Sequence, residues 1–160
     1  NIYWFESPIA LDDMAGHGVI NSSSGIDVCA NESLSGVYQF KHLLEHGGAK
    51  YLHFDLSVCG GITEAIKIAA LAENEGLKCT MHSACGVNLF ATSIHFASSI
   101  PNCDSVEYHF VHQWLSEHKP EALVHEGPMV TPLSEPGIGT SFITPDFIEQ
   151  IAAEELAKAN

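Results

Sequence analysis

Apolar residues along this chain gather in short clusters separated by longer stretches of helical period. Ile2–Phe5, Ile26–Ala30, Tyr51–Phe54, Lys78–Met81 and the weaker pair Ser105–Val106 read as strands. Leu34–His46, Thr63–Glu75 and Val87–Ser99 read as the helices between them. In the second of these, Ala65, Ile66, Ala69 and Ala72 make an apolar stripe, Thr63 offers an N-cap and Gly76 a stop. Asp12–Ile20 stays open, because Gly16 and Gly18 weaken any helix there.

Strands alternating with helices imply parallel pairing through right-handed crossovers, the pattern of both a doubly wound sheet and a TIM-type barrel. The strand ends separate the two. Glu6 closes the first strand, Glu32 follows the second, Asp55 closes the third, His82 the fourth and Glu107 the fifth; by subtraction they lie 26, 23, 27 and 25 positions apart. An open sheet would spread five such groups along a line. A barrel brings the C-terminal ends of its strands around one mouth, where its chemistry sits. The α/β barrel is therefore the expected fold. Alternation along the third strand then turns Asp55, His53 and Tyr51 inward, and Leu52 and Phe54 toward the outer helices.

Composition narrows the functional classes. The 160 residues are 46% hydrophobic and 16% charged, which suits one compact globular unit. Six basic residues, all Lys, against twenty acidic ones give a net charge of −14. Nucleic acid and anionic membranes are excluded as partners, since both need basic patches. No apolar run is long enough to span a bilayer and no stretch reads as a signal peptide. The five cysteines, Cys29, Cys59, Cys79, Cys85 and Cys103, form no C-x-x-C pair, so free thiols and a cytoplasmic location are expected. The chain opens on Asn1 within an apparent strand, from which truncation is expected.

The strand-end residues suggest a division of labour. Glu6 and Glu32, on neighbouring strands, offer hard oxygen ligands for Mg²⁺. Asp55 beside His82 would fix the imidazole tautomer and raise its basicity, a competent acid–base pair. Glu107 would support a developing oxyanion, donating a hydrogen bond if held protonated. Ser57, Tyr108 and His109 are candidate substrate contacts, and His53 an inner-layer, hydrogen-bonded residue below Asp55. His112, His118 and His125 fit no zinc spacing, and His17, His42, His46 and His95 suggest no role.

Trp4-Phe5-Glu6-Ser7-Pro8, Ala30-Asn31-Glu32-Ser33-Leu34, Asp55-Leu56-Ser57-Val58-Cys59-Gly60-Gly61, Met81-His82-Ser83, Val106-Glu107-Tyr108 and Pro136-Gly137-Ile138-Gly139 occur in this order. Together they resemble strands four to eight of the enolase superfamily. An Asp at position 55 with a His at position 82 resembles the mandelate racemase-like branch; other branches would carry Lys where Asp55 stands. The resemblance implies the C-terminal half of a TIM-type barrel, incomplete, over residues 1–140, with 141–160 a helical segment packing back on the barrel or cap. It implies Mg²⁺ on Glu6 and Glu32, and catalysis by His82, Asp55 and Glu107. The expected activity is removal of the proton α to a carboxylate followed by loss of water from a sugar acid, in an acid-sugar dehydratase that is a homo-oligomer when intact. A racemase or epimerase of a hydroxy acid would use the same dyad, and a non-catalytic half-barrel binding protein is the alternative from another class. The family's Lys-x-Lys base, third carboxylate ligand and N-terminal cap have no counterpart in these residues. The segment alone is therefore expected to be inactive, and the unpaired sheet edges of half a barrel count against its stable folding.

Overall fold

The computed structural model describes residues 1–110, 112, 117–118 and 125–158. Five strands, β1 (Phe5–Glu6), β2 (Val28–Ala30), β3 (Tyr51–Asp55), β4 (Lys78–His82) and β5 (Cys103–Val106), form one parallel sheet in the order β1-β2-β3-β4-β5. Sequential order matters. A doubly wound sheet reverses its order at a switch point, whereas a barrel adds each strand beside the last. The expected barrel-type α/β architecture is what forms.

The crossovers are α1 (Met14–Ser23), α2 (Val37–Glu45), α3 (Gly61–Asn74) and α4 (Val87–Ser99). The ambiguous first connection is a helix despite its two glycines. Asp13 caps it, with Oδ1 accepting from the Gly16 N–H at 2.8 Å. Gly18 answers to packing: a Cβ there would lie 2.0 Å from the His46 carbonyl oxygen, so only glycine lets α1 approach the end of α2. A short antiparallel pair, β6 (His125–Glu126) and β7 (Met129–Val130), follows, and α5 (Pro145–Lys158) ends the described chain. Among the described residues no helix is long and apolar enough to cross a membrane.

The core lies between the sheet and α2, α3 and α4. Leu52 and Phe54 are fully buried among Val28, Met81, Phe40, Leu43 and Ile68. The Phe54 ring packs edge-on against Phe40 of α2 and Phe96 of α4, at 5.9 and 6.1 Å between centroids. This confirms the alternation on β3, and it leaves Asp55 and His53 on the opposite face of the sheet.

Several boundaries move. β1 is Phe5–Glu6 rather than Ile2–Phe5, because the ladder extends only where β2 offers partners, Phe5 to Val28 and Glu6 to Cys29. β5 is longer than expected, beginning at Cys103 opposite Cys79. α2 starts at Val37, since Gly36 with φ of 74° interrupts any helix running from Leu34. α3 starts at Gly61 with the left-handed Gly60 at its N-cap, so Thr63 lies inside the helix and caps nothing. Ile66 is exposed and Ile68 takes its place beside Ala65, Ala69 and Ala72. At about 100° per residue, position 66 falls well off the face shared by 65, 69 and 72, while position 68 falls on it.

Candidate active site

The C-terminal ends of β1 to β5 carry or adjoin the candidate residues Glu6, Glu32, Asp55, His82 and Glu107. In the β3–β4 ladder Asp55 pairs in register with His82, so both side chains leave the sheet on the same face at the same height. His82 Nδ1 lies 2.7 Å from Asp55 Oδ2. The other oxygen, Oδ1, accepts from the Ser57 backbone N–H at 2.7 Å and the Ser57 hydroxyl at 2.5 Å. Asp55 is almost fully buried and each of its oxygens has a partner, so its orientation leaves no slack. With Oδ2 accepting, Nδ1 must carry the proton, and Nε2 faces the open side as the atom available to a substrate.

Glu107 stands just past β5. Its Oε2 accepts from the Ser83 N–H at 3.0 Å and lies 3.6 Å from His82 Nε2. Glu107, Ser83 and His82 thus meet at one point on the rim.

Glu6 ends β1 and Glu32 lies two residues beyond β2. Ser7, in the left-handed region at φ 35°, donates its hydroxyl to Glu32 Oε2 at 2.7 Å. Burial alone would push the Glu32 carboxyl up, but the Ser7 hydrogen bond, a backbone hydrogen bond and the nearby His53 and His82 rings hold it below its usual range. The fully buried Cys29 thiol is pushed up by burial and by the carboxylates of both Glu6 and Glu32.

His53 is buried on the same face of β3 as Asp55. Burial pushes its imidazole down, the carboxylates of Glu6, Glu32 and Glu107 oppose that shift, and His82 adds to it. Its ring lies 5.4 Å from that of His82. The expected hydrogen bond to His53 is not found among the described residues, where its buried Nδ1 has no partner.

Among the described residues no cluster of three or more His, Cys, Asp or Glu side chains is placed to hold a metal. Glu6 and Glu32 remain as a pair of hard oxygen donors. Mg²⁺, which keeps several waters and is held through one or two carboxylates plus substrate oxygens, fits such a pair.

The remaining candidates are distributed unevenly. Ser57 is exposed, yet its hydroxyl is committed to Asp55. Tyr108 is 42% exposed and packs edge-on against Phe90 at 5.8 Å. His109 lies against Phe110, and its Nδ1 is buried. The side chain of His125 lies outside the described residues. All five cysteines are free, as expected, and burial pushes the Cys59 and Cys103 thiols up to about 11.

Sequence reasoning missed Ser7 and Ser83. Ser7 adjoins a motif glutamate, and that adjacency was a usable signal. The Ser83 contribution is a backbone N–H, to which side-chain patterns are blind.

With this geometry in hand, the chain's relations are clear. It belongs to the enolase C-terminal domain-like family, whose model matches residues 1–146. Within that family it falls in the mandelate racemase-like branch, beside sugar-acid dehydratases. It is 30% identical to a 3,6-anhydro-alpha-L-galactonate cycloisomerase of Streptomyces coelicolor over 73% of this chain and 32% of that protein. It is 28% identical to the D-mannonate dehydratase CC0532 of Caulobacter vibrioides over 96% of this chain and 37% of that one. The structure of L-talarate dehydratase from Polaromonas sp. JS666, complexed with Mg and L-glucarate, superposes with a TM-score of 0.72 at 28% identity, covering 86% of this chain and 36% of that one. The chain thus spans about a third of the length of these relatives.

Proposed function

We propose that the protein containing this chain is a Mg²⁺-dependent acid-sugar dehydratase in which His82 is the proton-transfer group. The observation that carries the reading is the buried Asp55 carboxylate, 2.7 Å from His82 Nδ1, which leaves Nε2 free to accept and return a proton at the rim. The similarity to D-mannonate and D-galactonate dehydratases supports the substrate class.

Asp55 holds the Nδ1–H tautomer and stabilises the imidazolium that forms when Nε2 takes a proton. Glu6 and Glu32 would hold the metal, which when bound supplies positive charge to a substrate carboxylate. Ser7 orients Glu32, as outer partners of metal ligands do. In the dehydration the C–H bond α to the carboxylate breaks, its electron pair passing into the enolate and its proton to His82 Nε2. The β C–O bond then breaks as its hydroxyl is protonated, from His82 Nε2–H, and leaves as water. The resulting enol tautomerises to a 2-keto-3-deoxy acid. Glu107 Oε2, 3.6 Å from His82 Nε2, would face the same substrate atoms.

The racemase reading rests on the same dyad and on 29% identity to an N-succinyl-L-Arg/Lys racemase of Bacillus cereus over 67% of this chain. Incubating the intact protein with a panel of mono- and diacid sugars in deuterium oxide separates the two. Dehydration yields a 2-keto-3-deoxy acid with loss of water; racemisation places deuterium on the α-carbon of an otherwise unchanged acid. Neither outcome with any acid, by a folded Mg²⁺-loaded protein, would sink both readings.

A further inference from the structure

Beyond the rim, a buried histidine on the segment after β5 bears directly on how the site is held. His112 is fully buried and stacks on Phe90 of α4, with centroids 3.9 Å apart and planes 18° from parallel. Its Nε2 lies 2.7 Å from the Ser83 carbonyl oxygen. Ser83 directly follows His82, where β4 has ended and no ladder fixes the backbone. The N–H of the same residue is the donor to Glu107 Oε2. Ser83 is therefore gripped from both sides, with His112 on its carbonyl and Glu107 on its amide.

We propose that His112 is a positioning residue: by holding the Ser83 carbonyl it fixes the Ser83 N–H against Glu107 and so sets that carboxylate opposite His82 Nε2. This rests on the reading of His82 as the proton-transfer group.

The chain geometry gives His112 this leverage. Glu107 anchors its own backbone N–H on the Met81 carbonyl at 2.9 Å, and the His112 N–H is bonded to the His109 carbonyl at 2.8 Å. Glu107 and His112 thus both engage the exit of β4, Glu107 through the Met81 carbonyl and the Ser83 amide and His112 through the Ser83 carbonyl. Phe90 fixes the plane of the ring, and Tyr108 meets it edge-on at 5.8 Å. Because a carbonyl can only accept, Nε2 must carry the proton and Nδ1 the lone pair. Nδ1 is buried and has no partner among the described residues. Burial also pushes this imidazole down, against the opposing effect of the Ser83 carbonyl, so the neutral ring is the form favoured. A histidine kept only for packing needs the stack on Phe90. It has no need to aim its donor at the carbonyl of the residue that follows His82.

The test uses the intact protein. H112F keeps the aromatic stack and removes the donor; H112Q keeps a donor of similar reach. In H112F, amide hydrogen exchange at Ser83 should quicken by about tenfold or more, the scale of one lost hydrogen bond. The kcat for sugar-acid turnover should fall by a similar factor with KM within about twofold, the signature of a group acting on transition-state geometry. H112Q should recover most of both. In the wild-type protein, ¹⁵N shifts of the His112 ring should report the Nε2–H tautomer. A folded H112F with unchanged Ser83 exchange overturns the proposal, as does a wild-type ring protonated on Nδ1; the ring measurement decides alone if H112F does not fold. If the wild-type protein turns over no sugar acid, the dehydratase reading falls, and His112 is judged on the Ser83 amide and the ring tautomer, which need no substrate.

Discussion

Replacing Asp55 with Asn keeps the size and shape of the side chain, yet the surroundings dictate which way the new amide faces. Oδ1 receives two donors from Ser57, at 2.7 and 2.5 Å, so the amide oxygen must occupy that side. The amide NH₂ then points at His82 Nδ1, where a carboxylate oxygen stood at 2.7 Å. Two donors cannot face each other, so the imidazole moves its proton to Nε2 and offers a lone pair at Nδ1. Nε2 loses its capacity to accept a proton. General acid–base catalysis contributes on the order of 10²–10⁴ in rate, so kcat should fall about a thousandfold, or about 4 kcal/mol of barrier. Stability should change little. Three hydrogen bonds lose charge assistance, but a nearly fully buried charge is also removed, leaving a net within about 2 kcal/mol. The assay is ¹⁵N NMR of His82 together with turnover of a sugar acid in deuterium oxide by the intact protein. A D55N protein that keeps the Nδ1–H tautomer, or keeps kcat within tenfold of wild type, would refute the reasoning.

Three further outcomes follow from contacts already described. Ser7→Ala removes the hydroxyl from Glu32 and should weaken Mg²⁺ binding by about tenfold in calorimetric titration, since outer partners of metal ligands are worth about 10–100-fold. Phe54→Ala empties the space between Phe40 and Phe96 and should cost about 3–5 kcal/mol by urea unfolding of the intact protein. His112 and His53 both have imidazoles pushed down by burial, so above the ordinary value of 6.5 folded and unfolded rings are alike neutral and stability is at its full value. As pH falls below 6.5 the unfolded rings take protons that the folded ones resist, so stability declines and levels off once the folded rings titrate too. The urea midpoint followed from pH 8 downward should drop below about 6.5 in the wild type and drop less in H112F.

The amino-acid sequence alone determined the alternation of strands and helices, the barrel-type sheet and the residues closing each strand. These are local or periodic facts: Leu52 and Phe54 alternate with His53 and Asp55 because a strand repeats every second residue. The same periodicity misjudged Ile66 and Thr63, whose environments depend on where α3 begins, and that is set by the left-handed Gly60. It left α1 open because glycine propensity counts against a helix, whereas the close approach of Gly18 to the His46 carbonyl exists only once α1 and α2 have packed. In the site, Asp55 and His82 were legible as a pair because adjacent parallel strands bring equivalent positions into register. What the tertiary structure decided was the set of partners around them: the Ser57 hydroxyl on Asp55, the Ser7 hydroxyl on Glu32, and the His112 ring on the backbone that holds Glu107. Such contacts depend on loop paths and backbone atoms. Loop paths are fixed only when the whole sheet and its helices have closed around them.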